Sequence, residues 1–247
     1  MQITDIDTVA NQPKQSFALE TDLITSSAEM FGEYPKKVMF NPYNVAQMKK
    51  VVYAPDNASY YKILASVMQE LVDVNVYDLT VLDFDKLLWA VRVNTVGPKV
   101  NYHIRCGKCQ QLSPCYLDLT TFSLNPLPKG FKESRAINKD VLLHLPRVGA
   151  FIEQREMDEE DITPIDHHAG YIQASSFKES LEIFDGLDPV AIPTIHKYVK
   201  EVDKYGIDAG YEFNCAGFTD EAKTVPCGAV EQLRVAFRHT FFLPDIV

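Results

Sequence analysis

The chain has 247 residues, of which 46% are apolar and 23% charged, and its formal net charge is −10. That length holds one large domain or two small ones, and a near-average apolar fraction excludes wholesale disorder. So large an acidic excess argues against a nucleic-acid binder, which needs a basic footprint for phosphate.

No run reaches the ~20 apolar residues of a membrane span, and Met1–Lys14 lacks a basic-then-apolar export signal. The expectation is a soluble intracellular protein with no membrane partner. Residues 1–35 carry no sustained periodicity and read as an extended N-terminal arm that a neighbour would order. Val38–Phe40 is a short strand, Asn41-Pro42 a turn, and Asn44–Lys49 a brief helix.

From Tyr60, the residues Ile63, Leu64, Val67, Met68, Leu71 and Val72 recur at three- and four-residue spacing, which predicts an amphipathic helix. Asn57-Ala58-Ser59 spells a glycosylation sequon, but without export Asn57 is better placed near that helix's N-terminus. A second helix is expected to open at Asp83, with Phe84, Leu87, Leu88 and Val91 as its stripe and Trp89 beside it. Gly97-Pro98 stops it. Val100–Arg105 then alternates as a half-buried strand and delivers the chain to Cys106.

Asn125–Lys132, rich in Pro and Lys, is the best boundary. It divides the chain into the arm (1–35), a helical segment with a first cysteine hairpin (36–132) and an α+β segment with a second (133–247). Beyond it, Val141–Leu145 and Ala150–Ile152 read as short strands. Glu153–Asp161 holds six acids and one arginine and reads as a solvated face. Phe177–Phe184 and Pro193–Tyr205 are helical, the latter with Ile195, Tyr198, Val199 and Val202 on one face and Gly206 as its C-cap. Tyr211–Asn214 is a strand leading to Cys215. Gln232–Phe242 alternates as a last strand before Leu243-Pro244.

The cysteines are Cys106, Cys109, Cys115, Cys215 and Cys227, an odd number that makes a poor disulfide framework without export. Cys106-Gly107-Lys108-Cys109 places two thiolates where both can face one metal. Zinc needs four ligands, usually from two such turns. Cys215-Ala216-Gly217-Phe218 has phenylalanine where the second partner would sit. Cys227, between Pro226 and Gly228, offers the missing thiolate from a neighbouring turn, and His103 and Cys115 are the other available ligands. Closing the ~110-residue loop between the halves costs about 4 kcal/mol, whereas a structural zinc site contributes roughly 10–16 kcal/mol. Metal could therefore join the two halves if four ligands are present, and one structural zinc on Cys106, Cys109, Cys215 and Cys227 is the candidate cofactor. The alternative is a ribbon whose hairpins persist by packing alone. A redox use of the CxxC is disfavoured, because Gln110–Pro114 is a poor helix start.

His167-His168 beside Asp166 invites a metal-dependent hydrolase reading, but adjacent histidines on a strand point opposite ways. No GxSxG, P-loop or GxGxxG spacing occurs. His196 and His239 are isolated. No catalytic residue is assigned.

Taken together, Tyr77-Asp78-Leu79-Thr80 through Leu87-Leu88-Trp89-Ala90-Val91-Arg92, the strand into Cys106-Gly107-Lys108-Cys109, Gly206-Ile207-Asp208 ahead of Phe213-Asn214-Cys215, and Phe241-Phe242-Leu243-Pro244 form a recognisable order. On these stretches the chain resembles the baseplate hub subunit and hub-assembly protein family of T-even-type contractile-tailed bacteriophages, over roughly Val38–Pro244. It departs from that pattern at Phe218, where the second knuckle loses a cysteine. The resemblance implies a non-enzymatic part of the virion tail baseplate, made in the host cytoplasm and bound to hub, wedge or tube subunits. An assembly chaperone absent from the mature virion, a zinc-ribbon binding protein and the hydrolase are the alternatives. Met30-Phe31 and Phe241-Phe242 are candidate interface anchors. The expected fold is α+β, with two helix-plus-strand halves joined through zinc-ribbon-like cysteine hairpins.

Overall fold

The computed structural model describes residues 19–24, 34–132, 134–157, 163–220, 223–235 and 239–243. It is an α+β arrangement in which the helices carry the cores and every sheet among the described residues has two antiparallel strands. Within the stretch read as an arm, β1 (Leu19–Asp22) is held by the chain itself. It pairs with β2 (Lys37–Phe40), Leu19 opposite Phe40. The rest of that stretch, with Met30-Phe31, lies outside the described residues.

The helices begin where short polar side chains satisfy the first free amides. Asn44 opens α1 (Val45–Val52) with a reciprocal capping box to Gln47. Asp56 caps α2 (Asn57–Leu71) by accepting from the Ser59 amide at 2.7 Å. Thr80, not Asp83, caps α3 (Val81–Val96). Asp83 is its third residue, and its carboxylate accepts from the hydroxyls of Thr80 and Tyr34. Gly97 ends α3 and the chain enters β3 (Lys99–Arg105), which pairs with β4 (Leu112–Asp118).

The first core forms where α2 and α3 meet. Leu64, Met68, Leu87, Leu88 and Val91 are all at most 1% exposed. Each such side chain contributes roughly 1.5–3 kcal/mol of burial. This core draws residues from both sides of the 125–132 loop. Val148 and Ile152 enter it from α4 (Val148–Glu156), and Phe241 and Phe242 from a 3-10 turn at His239–Phe242.

Two expectations are corrected here. Ala150–Ile152 is the middle of a helix, because Val148 and Ile152, four residues apart, face the core. Phe151 meets Tyr61 of α2 edge-on at 5.2 Å. The Phe241-Phe242 pair is neither strand nor exposed anchor, since both rings are buried. Their backbone is gripped by Arg92, a fully buried side chain on α3. Its guanidinium donates to the carbonyls of Phe241, Leu243, Gly97 and Lys99. Tyr43 adds a hydrogen bond to the Phe242 carbonyl at 2.7 Å.

The second core contains Leu143, Leu145, Phe177, Phe184, Ile195 and Tyr198. It is built by α5 (Phe177–Asp185), α6 (Ile192–Val202) and a 3-10 turn at Asp166–Tyr171. Short strands β5 (Ser123–Asn125), β6 (Arg135–Ala136) and β7 (Leu142–Leu143) lead into it. Helix α6 ends at Val202 with Asp203 as its cap. Gly206 therefore does not cap it but opens β8 (Gly206–Asp208) at φ +95°. A side chain there would be strained and would meet Leu82 of α3 at 3.1 Å. β8 pairs with β5, and the chain passes directly into β9 (Gly210–Asn214), which pairs with β10 (Val230–Arg234). No helix among the described residues is long and apolar enough to cross a membrane.

Candidate metal centre

The β3–β4 hairpin turns at Cys106–Gln111. The Cys106 amide donates to the Gln111 carbonyl at 3.1 Å, the Gln110 amide donates to the Cys106 carbonyl at 2.9 Å, and the Lys108 amide points at the Cys106 Sγ at 3.4 Å. These bonds fold four residues so tightly that Cys106 and Cys109 face the same side. Gln110 takes a left-handed φ of 60° to complete the turn.

The β9–β10 hairpin does the same work over a longer path. The Cys215 amide donates to the Ala229 carbonyl at 2.9 Å and the Gly217 amide points at the Cys215 Sγ at 3.3 Å. The chain then leaves and returns. Phe218 bridges Pro226, Thr219 bonds Val225, and the Asp220 carboxylate accepts from the amides of Thr224 and Val225. Cys227 re-enters beside Gly217, its amide donating to the Gly217 carbonyl at 2.8 Å. The excursion thus restores to Cys227 the place that Phe218 occupies in the sequence.

The hairpins meet at these turns. The Glu231 carboxylate accepts from the Gly107 amide at 2.8 Å, the Lys108 ammonium donates to the Cys227 carbonyl at 2.9 Å, and the Gln111 amide oxygen accepts from the Phe218 amide at 3.1 Å. Gly217 permits the approach. A Cβ there would lie 2.8 Å from Gln111 Oε1, 3.0 Å from the Cys109 sulfur and 3.3 Å from the Cys215 sulfur.

The sulfurs of Cys106, Cys109, Cys215 and Cys227 all lie within 4.8 Å of one another. Two of these separations cross between hairpins, with Cys106 to Cys227 at 3.7 Å and Cys109 to Cys215 at 3.6 Å. A tetrahedron with zinc–sulfur bonds of about 2.3 Å has edges of about 3.8 Å, so the spacing fits a four-thiolate metal site. A disulfide requires about 2.05 Å, and all five cysteines are free.

The electrostatics fit a site that needs a cation. The Ser113 hydroxyl and the Gly217 amide lower the Cys215 thiol to about 7. The Cys109 amide favours the Cys106 thiolate, but burial and the hydrogen-bonded thiols of Cys215 and Cys227 outweigh it and push Cys106 up to about 12. The Gln111 amide favours the Cys109 thiolate, but burial and the thiols of Cys215 and Cys227 outweigh it and raise Cys109 as well. Four thiols in one small volume ionise together only if a positive charge joins them.

The other candidate ligands lie elsewhere. Cys115 is buried in the apolar layer beneath the hairpins with Phe213, and His103 is on the exposed face of β3. The hydrolase candidates are not brought together. Asp166 accepts from Thr163, His167 meets Gln154, and His168 bonds the Ile165 carbonyl and His196. Asp158–Asp161 lies outside the described residues. Sequence reasoning missed Ser113, Gln111 and Glu231, which support the thiols and lock the turns. Only Ser113, at an inward position of an alternating strand, left a signal.

The fold and the cluster define an α+β protein whose two cysteine hairpins converge on one four-thiol centre. A scan against protein families matches residues 25–225 to the family described as T4 bacteriophage base plate protein. The match covers most of the chain, and the chain belongs to this family of phage baseplate proteins. It includes Cys106, Cys109 and Cys215, and ends just before Cys227. No curated protein and no solved structure gave a match.

Proposed function

We propose that the chain is a non-enzymatic structural component of the contractile-tail baseplate, at or next to the hub, acting by protein–protein contacts. One zinc ion held by Cys106, Cys109, Cys215 and Cys227 clasps its two hairpins in a ribbon-like arrangement. Family membership supports the baseplate role. The observation that carries the clasp is the cross-hairpin sulfur spacing of 3.6 and 3.7 Å, which suits tetrahedral thiolate ligation. The zinc supplies a long-range crosslink. The chain's own residues supply its geometry: Gly217 lets the turns approach, while Ser113 and the knuckle amides stabilise thiolate charge. The partners are hub, wedge or tube subunits.

Metal analysis of the purified protein beside its Cys106→Ser variant tests the clasp. A zinc-to-chain ratio near one that falls in the variant is expected, and a parent without metal would end the zinc reading. Mass spectrometry of purified virions tests the placement. Stoichiometric presence with hub proteins is expected, whereas a chain confined to infected-cell lysate would be an assembly chaperone.

A further inference from the structure

A cleft of about 400 Å³ lies between the two cysteine hairpins, lined in part by Tyr102, Ile104, Arg105, Leu233 and Arg234. Residues 102–105 of β3 line it consecutively, as do 233 and 234 of β10. Successive side chains on a strand point to opposite faces, so a cavity touched by all of them runs along the strand's edge. Among the described residues, β3 pairs only with β4, and β10 only with β9. The cleft, which Leu112 of β4 and Tyr211 of β9 also line, thus lies beside two strands that each have one strand partner among the described residues.

The walls differ in character. Tyr102, Ile104, Tyr211 and Leu233 belong to the apolar layer under the hairpins and form the floor. His103, Arg105 and Arg234 are exposed at the rim, and Leu112, 58% exposed, extends the apolar surface outward. The two arginines gather on a chain whose net charge is −10. Asp85 on α3 lies near Arg234, but desolvation pushes its carboxyl up to about 7, so it only partly offsets that arginine. The rim is thus complementary to negative charge, while the open edges suit a strand.

We infer that this cleft docks an extended acidic segment of another baseplate protein, which adds as a strand between β3 and β10. The inference rests on the baseplate reading above and names the chemistry of the partner. Main-chain hydrogen bonds to the two edges hold the segment. Its alternate apolar side chains meet the Tyr102–Leu233 floor, and its Asp or Glu side chains meet Arg105 and Arg234. Four residues of β3 span about 13 Å, so the docked stretch is about four residues long.

The test places a photo-crosslinking benzoylphenylalanine at Leu112 of the full chain, expressed during infection by a phage lacking its own copy. Crosslinked peptides are mapped by mass spectrometry. The expected crosslink falls in one segment of another baseplate protein that is net negative over about ten residues. Combining the probe with Arg234→Glu should lower its yield about tenfold while zinc content stays unchanged. A neutral or basic segment of a baseplate protein would overturn the inference and leave the baseplate role standing. So would a crosslink to a second copy, an unchanged yield after charge reversal, or no crosslink in chains that co-purify with baseplates. A crosslink to nucleic acid, with the chain absent from baseplates, would overturn both.

Discussion

The first cysteine hairpin closes its turn within the six residues Cys106–Gln111, whereas the second needs an excursion from Phe218 to Pro226 before Cys227 arrives. Both present two sulfurs to the same point. The tight turn is fixed by its own amides. The long one depends on Asp220 tying Thr224 and Val225, and on the Cys227 amide reaching Gly217. The placement of the four sulfurs is thus the shared feature, and the path between them is free to vary, because lengthening a loop costs little free energy once its ends are held.

The largest expected effect tests that shared feature. A strong chelator at neutral pH should lower the melting temperature by on the order of 10 °C or more, since a structural zinc site contributes roughly 10–16 kcal/mol to folding. Cys109→Ser and Cys227→Ser should weaken zinc binding alike, by roughly two orders of magnitude or more in a competition titration, given that even outer-shell changes cost 10–100-fold. A much smaller loss for Cys227→Ser would break the equivalence of the two hairpins.

The second hairpin alone leads into the tail that Arg92 grips. Arg92→Ala should cost about 3–5 kcal/mol in denaturant unfolding, because it strips donors from carbonyls of Gly97, Lys99, Phe241 and Leu243. Zinc content should persist. Loss of metal along with stability would show that the tail and the second hairpin form one unit.

A pair of glycine variants compares the turns directly. Gly217→Ala drives a Cβ into Gln111 and two sulfurs, and should weaken zinc binding about 10–100-fold. Gly107→Ala meets only the flexible Glu231 carboxylate at 3.4 Å and should change stability by less than about 0.5 kcal/mol.

The last comparison concerns Asp85, beside Arg234 on the second hairpin. Its carboxyl ordinarily titrates near 3.8 and is raised to about 7 by desolvation, against the pull of Arg234. Between those values the folded chain binds more protons than the unfolded one, so this group makes stability fall as pH rises from about 4 to about 7. Asp85→Asn should flatten that slope and raise stability at pH 8 by roughly 1–2 kcal/mol, a figure discounted for its residual solvent contact. Equal pH slopes in the parent and the variant would remove Asp85 from the account.

Much of the local structure was legible in one dimension. The three- and four-residue recurrence from Tyr60 to Leu71 is α2, and the stripe Phe84, Leu87, Leu88 and Val91 is the buried face of α3. Ala150–Ile152 misled because a three-residue apolar run fits a strand or a buried helix equally, and the burial of Val148 and Ile152 on one helical face separates them. The candidate site was half legible. Cys106 and Cys109 announce a knuckle by spacing, while Glu231 and Gln111 carry no pattern that marks them as turn locks.

An acidic chain of 247 residues determined by itself most of its longer helices and its first cysteine turn, because capping and periodicity are local properties. Only the tertiary structure decided that Cys227 joins the cluster instead of His103 or Cys115, that Phe241-Phe242 is core, and that Arg92 holds the tail. Those outcomes depend on which distant segments share a volume. Spacing along the chain does not encode that, since closing even a long loop costs only a few kcal/mol.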